Sequence, residues 1–102
     1  MEFTLNVMVD PPTARVVAHG ELDIFTAREV VDRLQDVVRS GCSAVLLDVS
    51  GVTFVDASAL GVLDRARALL AADHGSLGMV GAPASFRRTC ALAGLAPAFG
   101  MS

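Results

Sequence analysis

Lysine is missing from this chain. All eight basic residues are arginine, which removes any chemistry that depends on a lysine amine: a Schiff base, the phosphate-binding lysine of a P-loop, or the lysine of a kinase nucleotide site. Tryptophan and tyrosine are also missing, so the usual stacking platform for single-stranded nucleic acid is reduced to five phenylalanines. Acidic residues outnumber basic ones for a formal charge of −3. Without a basic stripe there is nothing to neutralise a phosphate backbone, and no direct nucleic-acid binding is expected. Cysteine is scarce: Cys42 and Cys90 have neither CxxC spacing nor the density of a disulfide scaffold, and read as reduced thiols in core or loop. With only His19 and His74 beside them, metal-ligand spacing is absent, and neither metal nor cofactor is expected. No segment approaches the roughly 18 consecutive apolar residues of a membrane span, and the first residues lack a basic region followed by an apolar run. The expectation is a cytoplasmic protein that does not enter a membrane.

What remains is rich in apolar residues. At 102 residues there is room for one core, so residues 1–102 are expected to form one domain. Hydrophobic residues make up 53% and charged residues 19%, enough to exclude disorder and to expect cover on both faces of a sheet.

Residues 3–9 alternate Phe3, Leu5, Val7 and Val9 with Thr4, Asn6 and Met8, the pattern of a half-buried strand. Asp10, Pro11, Pro12 and Thr13 then predict a four-residue hairpin loop into a second strand over residues 15–19. After Gly20-Glu21-Leu22-Asp23, the first helix is predicted to start with Thr26 as N-cap, Glu29 closing a capping box and Phe25 stapled against Val30. Its apolar face is Ala27, Val30, Val31, Leu34, Val37 and Val38; Arg28 with Asp32 and Glu29 with Arg33 have i,i+4 spacing; Gly41 ends it as the C′ residue.

Residues 44–70 are the centre of the chain. Ala44 to Leu47 is a short apolar run suited to a parallel strand, which Asp48 breaks, and Asp48 is expected to fix a turn near Gly51. A polar turn over residues 52–58 follows, then a helix whose apolar face is Ala59, Val62, Leu63, Ala66, Leu69 and Leu70. The turn puts the Asp56 carboxylate and the Ser58 hydroxyl beside a helix N-terminus, where backbone N–H donors lack partners. Asp73-His74-Gly75 closes that helix, residues 77–80 form a fourth strand, and Pro83 opens a third helix facing inward through Phe86, Cys90 and Ala93. Residues 95–99 are expected as an edge strand. The fold class is therefore α/β, a mixed four- or five-stranded sheet in the order β-β-α-β-α-β-α with right-handed crossovers.

Two motifs coincide. GELDIFTA follows the second strand, and DVSGVTFVDASALGVL joins the third strand to the second helix. Together they resemble the STAS family, and within it the anti-sigma factor antagonists, over nearly the whole chain. In that family the turn usually reads Asp-Ser-Ser-Gly-Leu-Gly, and the second Ser is phosphorylated by a partner that is both serine kinase and anti-sigma factor. Here the turn is Asp56-Ala57-Ser58-Ala59-Leu60-Gly61. The resemblance implies phosphorylation at Ser58 and a partner surface of Glu21, Asp23, Asp56, Ala57, Ser58, Ala59, Leu60 and Gly61. It also implies a serine phosphatase that reverses the modification and a role in transcription regulation. Ala57 for Ser removes an alternative acceptor.

Each residue has a plainer reading. Ser58 or Asp56 serves as the helix cap, Glu21 and Asp23 belong to a solvated loop, and the two histidines lie at element ends without a positioning signal. A Ser-His-Asp hydrolase is disfavoured because Ser58 lacks the flanking glycines of a nucleophile elbow. A receiver-type phospho-acceptor role for Asp48 fails for want of a lysine. The reading is a binding module, not an enzyme. The alternative is a STAS scaffold, a subunit of a lipid-transport or sensory complex, that binds its partner without regulated phosphorylation.

Overall fold

Alternation at the start of the chain produces a hairpin. The computed structural model describes residues 2–101 and opens with β1 (Thr4–Asp10) antiparallel to β2 (Thr13–Leu22). Asp10 pairs with Thr13, so the loop is Pro11 and Pro12 alone, shorter than the four residues expected. β2 is twice the length predicted, ten residues, because buried Ala14, Val16, Ala18 and Leu22 keep alternating with exposed Arg15, His19 and Glu21. Gly20 permits this. It is buried with φ +109°, and a Cβ there would lie 3.1 Å from Phe3 Cα, a conformation and an approach that only glycine takes easily.

The chain continues through α1 (Ile24–Arg39), β3 (Ala44–Val55), α2 (Ala57–Ala72), β4 (Ser76–Val80) and α3 (Ala84–Leu92), and ends in a 3₁₀ turn, Pro97–Phe99. The predicted element order holds. The sheet has four strands in the order β1-β2-β3-β4, with β2, β3 and β4 parallel. The tail does not add a fifth strand: Pro97 has no N–H for a ladder, and Phe99 turns inward to be buried.

β3 differs most from expectation. It runs for twelve residues through Asp48, which does not break it. The Asp48 carboxylate accepts bonds from Ser50 N at 3.0 Å and Ser50 Oγ at 2.7 Å, and pairs with Arg15 on β2 at 2.8 Å. With its oxygens satisfied, the carboxylate is tolerated within the ladder, and those partners hold its pKa down to about 2. The turn expected over residues 52–58 shrinks to Asp56 alone, because residues 52–55 extend β3 and residue 57 already begins α2.

α1 starts three residues earlier than predicted. Asp23 is its N-cap: Oδ1 accepts from Phe25 N and Thr26 N, each at 2.9 Å, and Thr26 Oγ1 accepts from Asp23 N at 2.9 Å, a reciprocal capping box. Thr26 is thus the third helical residue, Glu29 takes no part, and Phe25 is 72% exposed instead of stapled. Neither Arg28–Asp32 nor Glu29–Arg33 forms an ion pair; α1's only one among the described residues is Arg39–Asp36 at 3.6 Å. Exposed pairs of that kind gain little against side-chain entropy. Ser40 is the C-cap, and Gly41 follows as C′ with φ +94°.

α1 and α2 pack on each other and on the sheet, and α3 packs against β3. Their inward residues form one core: Ala27, Val30, Leu34 and Val37 from α1, Ala59, Leu60 and Leu63 from α2, Phe86 and Cys90 from α3. Val31 is half-buried, whereas Val38, Leu69 and Ala93, expected inside, are exposed. Both cysteines are buried and reduced. The sheet is covered on one face only, against expectation. Two successive crossovers of one hand put α1 and α2 on the same side. The other side presents the row Met8, Arg15 and Leu46 to solvent.

Candidate functional site

Parallel strands end at the same edge of a sheet, and here two of them run directly into helices. Leu22 closes β2 and Val55 closes β3, the two are register partners, and Asp56 N donates to Leu22 O at 3.3 Å. One residue beyond each lies an N-cap aspartate, Asp23 for α1 and Asp56 for α2. The chain thus sets two acidic caps and two helix N-termini along one edge, the position at which open α/β sheets present their sites. GELD and the Asp56–Gly61 turn, separate in sequence, are adjacent because of this register.

The caps fix the loops that carry the other residues. Thr26 Oγ1 also donates to Glu21 O at 2.9 Å, tying the end of β2 to the first turn of α1. The bonds reaching Asp23 from Thr26 and Phe25 lower its pKa, the Thr26 N–H most of all. Asp56 Oδ1 accepts from Ala59 N at 2.8 Å. The cap of α2 is therefore Asp56, and Ser58 is not needed for it. Ser58 is the second residue of α2, exposed, and its hydroxyl makes no hydrogen bond to any described residue.

The predicted partner surface divides in two. Glu21, Ala57, Ser58 and Gly61 are exposed, and Asp23 and Asp56 are half-buried at the lip. Ala59 and Leu60 are 0% exposed. Their side chains belong to the core and anchor the start of α2, so they add no contact area; the methyl of Ala59, where the family has Gly, points inward. A Cβ on Gly61 would meet nothing within 4 Å, so nothing inside the chain requires glycine at this exposed helical position. His19 lies over Gly51 on the solvent face of the sheet and His74 is exposed beyond α2, so neither reaches Ser58 to form a triad.

Two residues of this surface escaped sequence reasoning. Phe54 is 51% exposed and pairs with Glu21, so both project from the solvent face just below the lip. Phe25, the second residue of α1 as Ser58 is of α2, stands out above it. The Asp-x-x-Thr spacing of the true capping box was the signal for Phe25. Phe54 carries none, because the register that exposes it is non-local. Among the described residues no group of His, Cys, Asp and Glu is arranged to hold a metal ion, and no helix is long and apolar enough to cross a membrane.

The comparisons with known proteins agree with this architecture. A family model described as "Mlab, STAS domain" matches residues 6–98. No curated protein sequence matches the chain significantly. Among solved structures, an anti-sigma factor antagonist from Mycobacterium paratuberculosis is 25% identical with a TM-score of 0.77, covering 98% of this chain and 85% of that one. The anti-sigma factor antagonist SpoIIAA in its unphosphorylated form is 22% identical with a TM-score of 0.77, covering 94% and 84%. The Bacillus cell fate determinant SpoIIAA in the phosphorylated form is 21% identical with a TM-score of 0.70, covering 94% and 86%. The last two likenesses establish the fold.

Proposed function

Because the chain belongs to the STAS domain family, we propose that it is an anti-sigma factor antagonist working by partner switching. With Ser58 free, the edge formed by Glu21, Asp23, Asp56, Ala57, Ser58 and Gly61 binds an anti-sigma factor that is also a serine kinase, and a sigma factor is released. Phosphorylation of Ser58 ends the binding, and a serine phosphatase restores it. The chain is then a substrate and binding module of the cytoplasm, not an enzyme, with residues 1–102 as one STAS domain.

The observation that carries this reading is the division of labour at the start of α2. Asp56 holds the cap, and the Ser58 hydroxyl is left exposed, with no hydrogen bond among the described residues. A phosphate at that position adds about −1.5 to −2 charges and three acceptors. The helix N-terminus tolerates that charge within the free protein, whereas a partner seated over the lip has to desolvate it beside two aspartates. A loss of ~100-fold in affinity corresponds to about 2.7 kcal/mol, within the cost of one buried, unpaired phosphate. Solved structures of SpoIIAA in both unphosphorylated and phosphorylated forms support the same chemistry on this fold.

The test is binding and radiolabelled-ATP phosphorylation with the cognate anti-sigma kinase. Wild type is expected to be labelled and Ser58→Ala not, and Ser58→Asp to bind at least tenfold more weakly. Equal labelling of Ser58→Ala would refute the site, and tight binding by Ser58→Asp would refute the switch. The matching family model, named for Mlab, favours a second reading: a scaffold subunit that uses the same edge without phosphorylation. Intact mass of protein from its own cells separates the two, since only the switch yields a species heavier by one phosphate.

A further inference from the structure

Resting on the function proposed above, we propose that Phe25 and Phe54 are the apolar anchors of the partner interface. The anti-sigma factor is concave there and straddles the lip, with one apolar socket for each ring and basic side chains between the sockets. The chain has no tryptophan or tyrosine, so its five phenylalanines are the only aromatic anchors it can offer. Three of them turn inward: Phe3 is half-buried, and Phe86 and Phe99 are each 2% exposed. The other two flank the candidate site, Phe25 two residues after the Asp23 cap and Phe54 two residues before the Asp56 cap. They are 72% and 51% exposed.

The two rings leave the lip on opposite sides. Phe25 stands nine residues before buried Leu34, about two and a half helical turns, so it points away from the sheet on the outer side of α1. Phe54 pairs with Glu21 on the face opposite α1 and α2. A cleft of about 180 Å³ opens beside it, lined also by Thr53, Ser85, Phe86 and Thr89. Glu21 and Phe54 are strand neighbours about 4.8 Å apart, and the four residues from Glu21 to Phe25 span at most ~15 Å. The two Cα atoms therefore lie within about 20 Å of each other, with Asp23 and Asp56 between them. A standard interface covers about 800 Å² per partner, a patch roughly 30 Å across, so one partner covers both rings. Both are fixed before binding: Asp23 Oδ1 accepts from the N–H of Phe25 at 2.9 Å, and Phe54 is held in the ladder of β2 and β3. Rings already in place lose little freedom on binding.

Charge identifies what lies between the sockets. Glu21, Asp23 and Asp56 make no ion pair among the described residues, and no arginine occurs in residues 21–27 or 52–61. A partner that seats both rings brings these carboxylates into its interface, and basic side chains keep them from being desolvated unpaired. A second copy of this chain would bring the same three carboxylates to the contact, so the geometry favours a foreign, basic surface. Other large apolar side chains are as exposed without this setting. Leu92 is 83% and Leu69 69% exposed, but they lie toward the C-terminal ends of α3 and α2, which lead away from the lip.

The test is calorimetric titration with the cognate anti-sigma factor. Phe25→Ala, and Phe54→Thr, which keeps a strand-forming residue, are each expected to raise Kd roughly thirtyfold, the hot-spot threshold of about 2 kcal/mol, with circular dichroism unchanged. Leu92→Ala, at the most exposed large apolar residue, is expected to bind as wild type does. Raising salt from about 50 to about 500 mM is expected to weaken wild-type binding at least tenfold, on the order of 1.4 kcal/mol. If Phe54→Thr does not fold, Phe25→Ala decides. Either phenylalanine variant binding within about threefold of wild type, an equal loss with Leu92→Ala, or insensitivity to salt overturns the proposal. The outcomes separate it from the proposed function. A wild type that does not bind refutes both; tight binding by Ser58→Asp refutes the switch and leaves the anchors; and a working Ser58 switch with indifferent phenylalanine variants refutes the anchors alone.

Discussion

Replacing Asp56 and Ser58 one at a time by alanine separates stability from signalling at the start of α2. Asp56 Oδ1 accepts one backbone N–H, that of Ala59, at 2.8 Å; deleting such a cap costs about 1 kcal/mol, within a range of about 0.5–2. Its negative charge at the helix N-terminus contributes about 0.3–1 kcal/mol more. Asp56→Ala is therefore expected to destabilise by about 1–2 kcal/mol, which for a chain this size lowers Tm by about 5–12 °C. Ser58→Ala removes an exposed hydroxyl with no partner among the described residues and puts a good helix former in a first turn, so its effect should stay within about 0.5 kcal/mol. Asp56→Asn keeps the acceptor and loses only the charge contribution. Urea denaturation followed by far-ultraviolet circular dichroism measures all three, with the slope m expected to be unchanged. If Ser58→Ala is as costly as Asp56→Ala, the serine is holding the helix, and its reading as an uncommitted hydroxyl is wrong.

Three other outcomes follow from the same geometry. Gly61→Ala adds a methyl into open space, so thermal melting should show a gain of about 0.5–1 kcal/mol, while anti-sigma factor binding weakens if the partner approaches the helix closely there; a stabilised variant with undiminished binding removes that role from Gly61. Thr26→Ala breaks the capping box and the bond to Glu21 O and should cost about 1 kcal/mol in denaturant melts, whereas Glu29→Ala should cost almost nothing, the reverse of what a box closed by Glu29 requires. Asp48 has a folded-state pKa depressed to about 2, so its contribution is full above the ordinary carboxylate pKa and is lost as pH falls from about 4 toward 2; denaturation midpoints of Asp48→Asn should be lower at neutral pH and flatter across that window, with the remaining acid sensitivity due in part to Asp23.

The differences between sequence reading and structure share one physical origin. Most of the helix faces and the order of elements along the chain were legible because they rest on local periodicity: Val30, Leu34 and Val37, or Leu63 with Val62 and Ala66, declare an apolar stripe without reference to the rest of the chain. The start of α1 was misread, because Thr26-x-x-Glu29 has the spacing of a box while Asp23-x-x-Thr26, three residues earlier, forms the actual one. What decides between them is where β2 stops, and that depends on Leu22 finding Val55 across the sheet. Asp48 looked like a terminator for the same reason, since its tolerance depends on Arg15 from a strand 33 residues earlier. The candidate site follows this division closely. The Asp56–Gly61 turn could be read from its own residues, and of the two caps read there, Ser58 or Asp56, it is Asp56 that holds. The burial of Ala59 and Leu60, the exposure of Phe25 and Phe54, and the meeting of GELD with the turn all require the parallel register of β2 and β3. A substitution that shifts that register, such as a bulky residue at Gly20 where φ is +109° and the backbone of Phe3 lies 3.1 Å away, should therefore disturb partner binding at an edge it does not touch, and do so more than its cost in stability alone predicts.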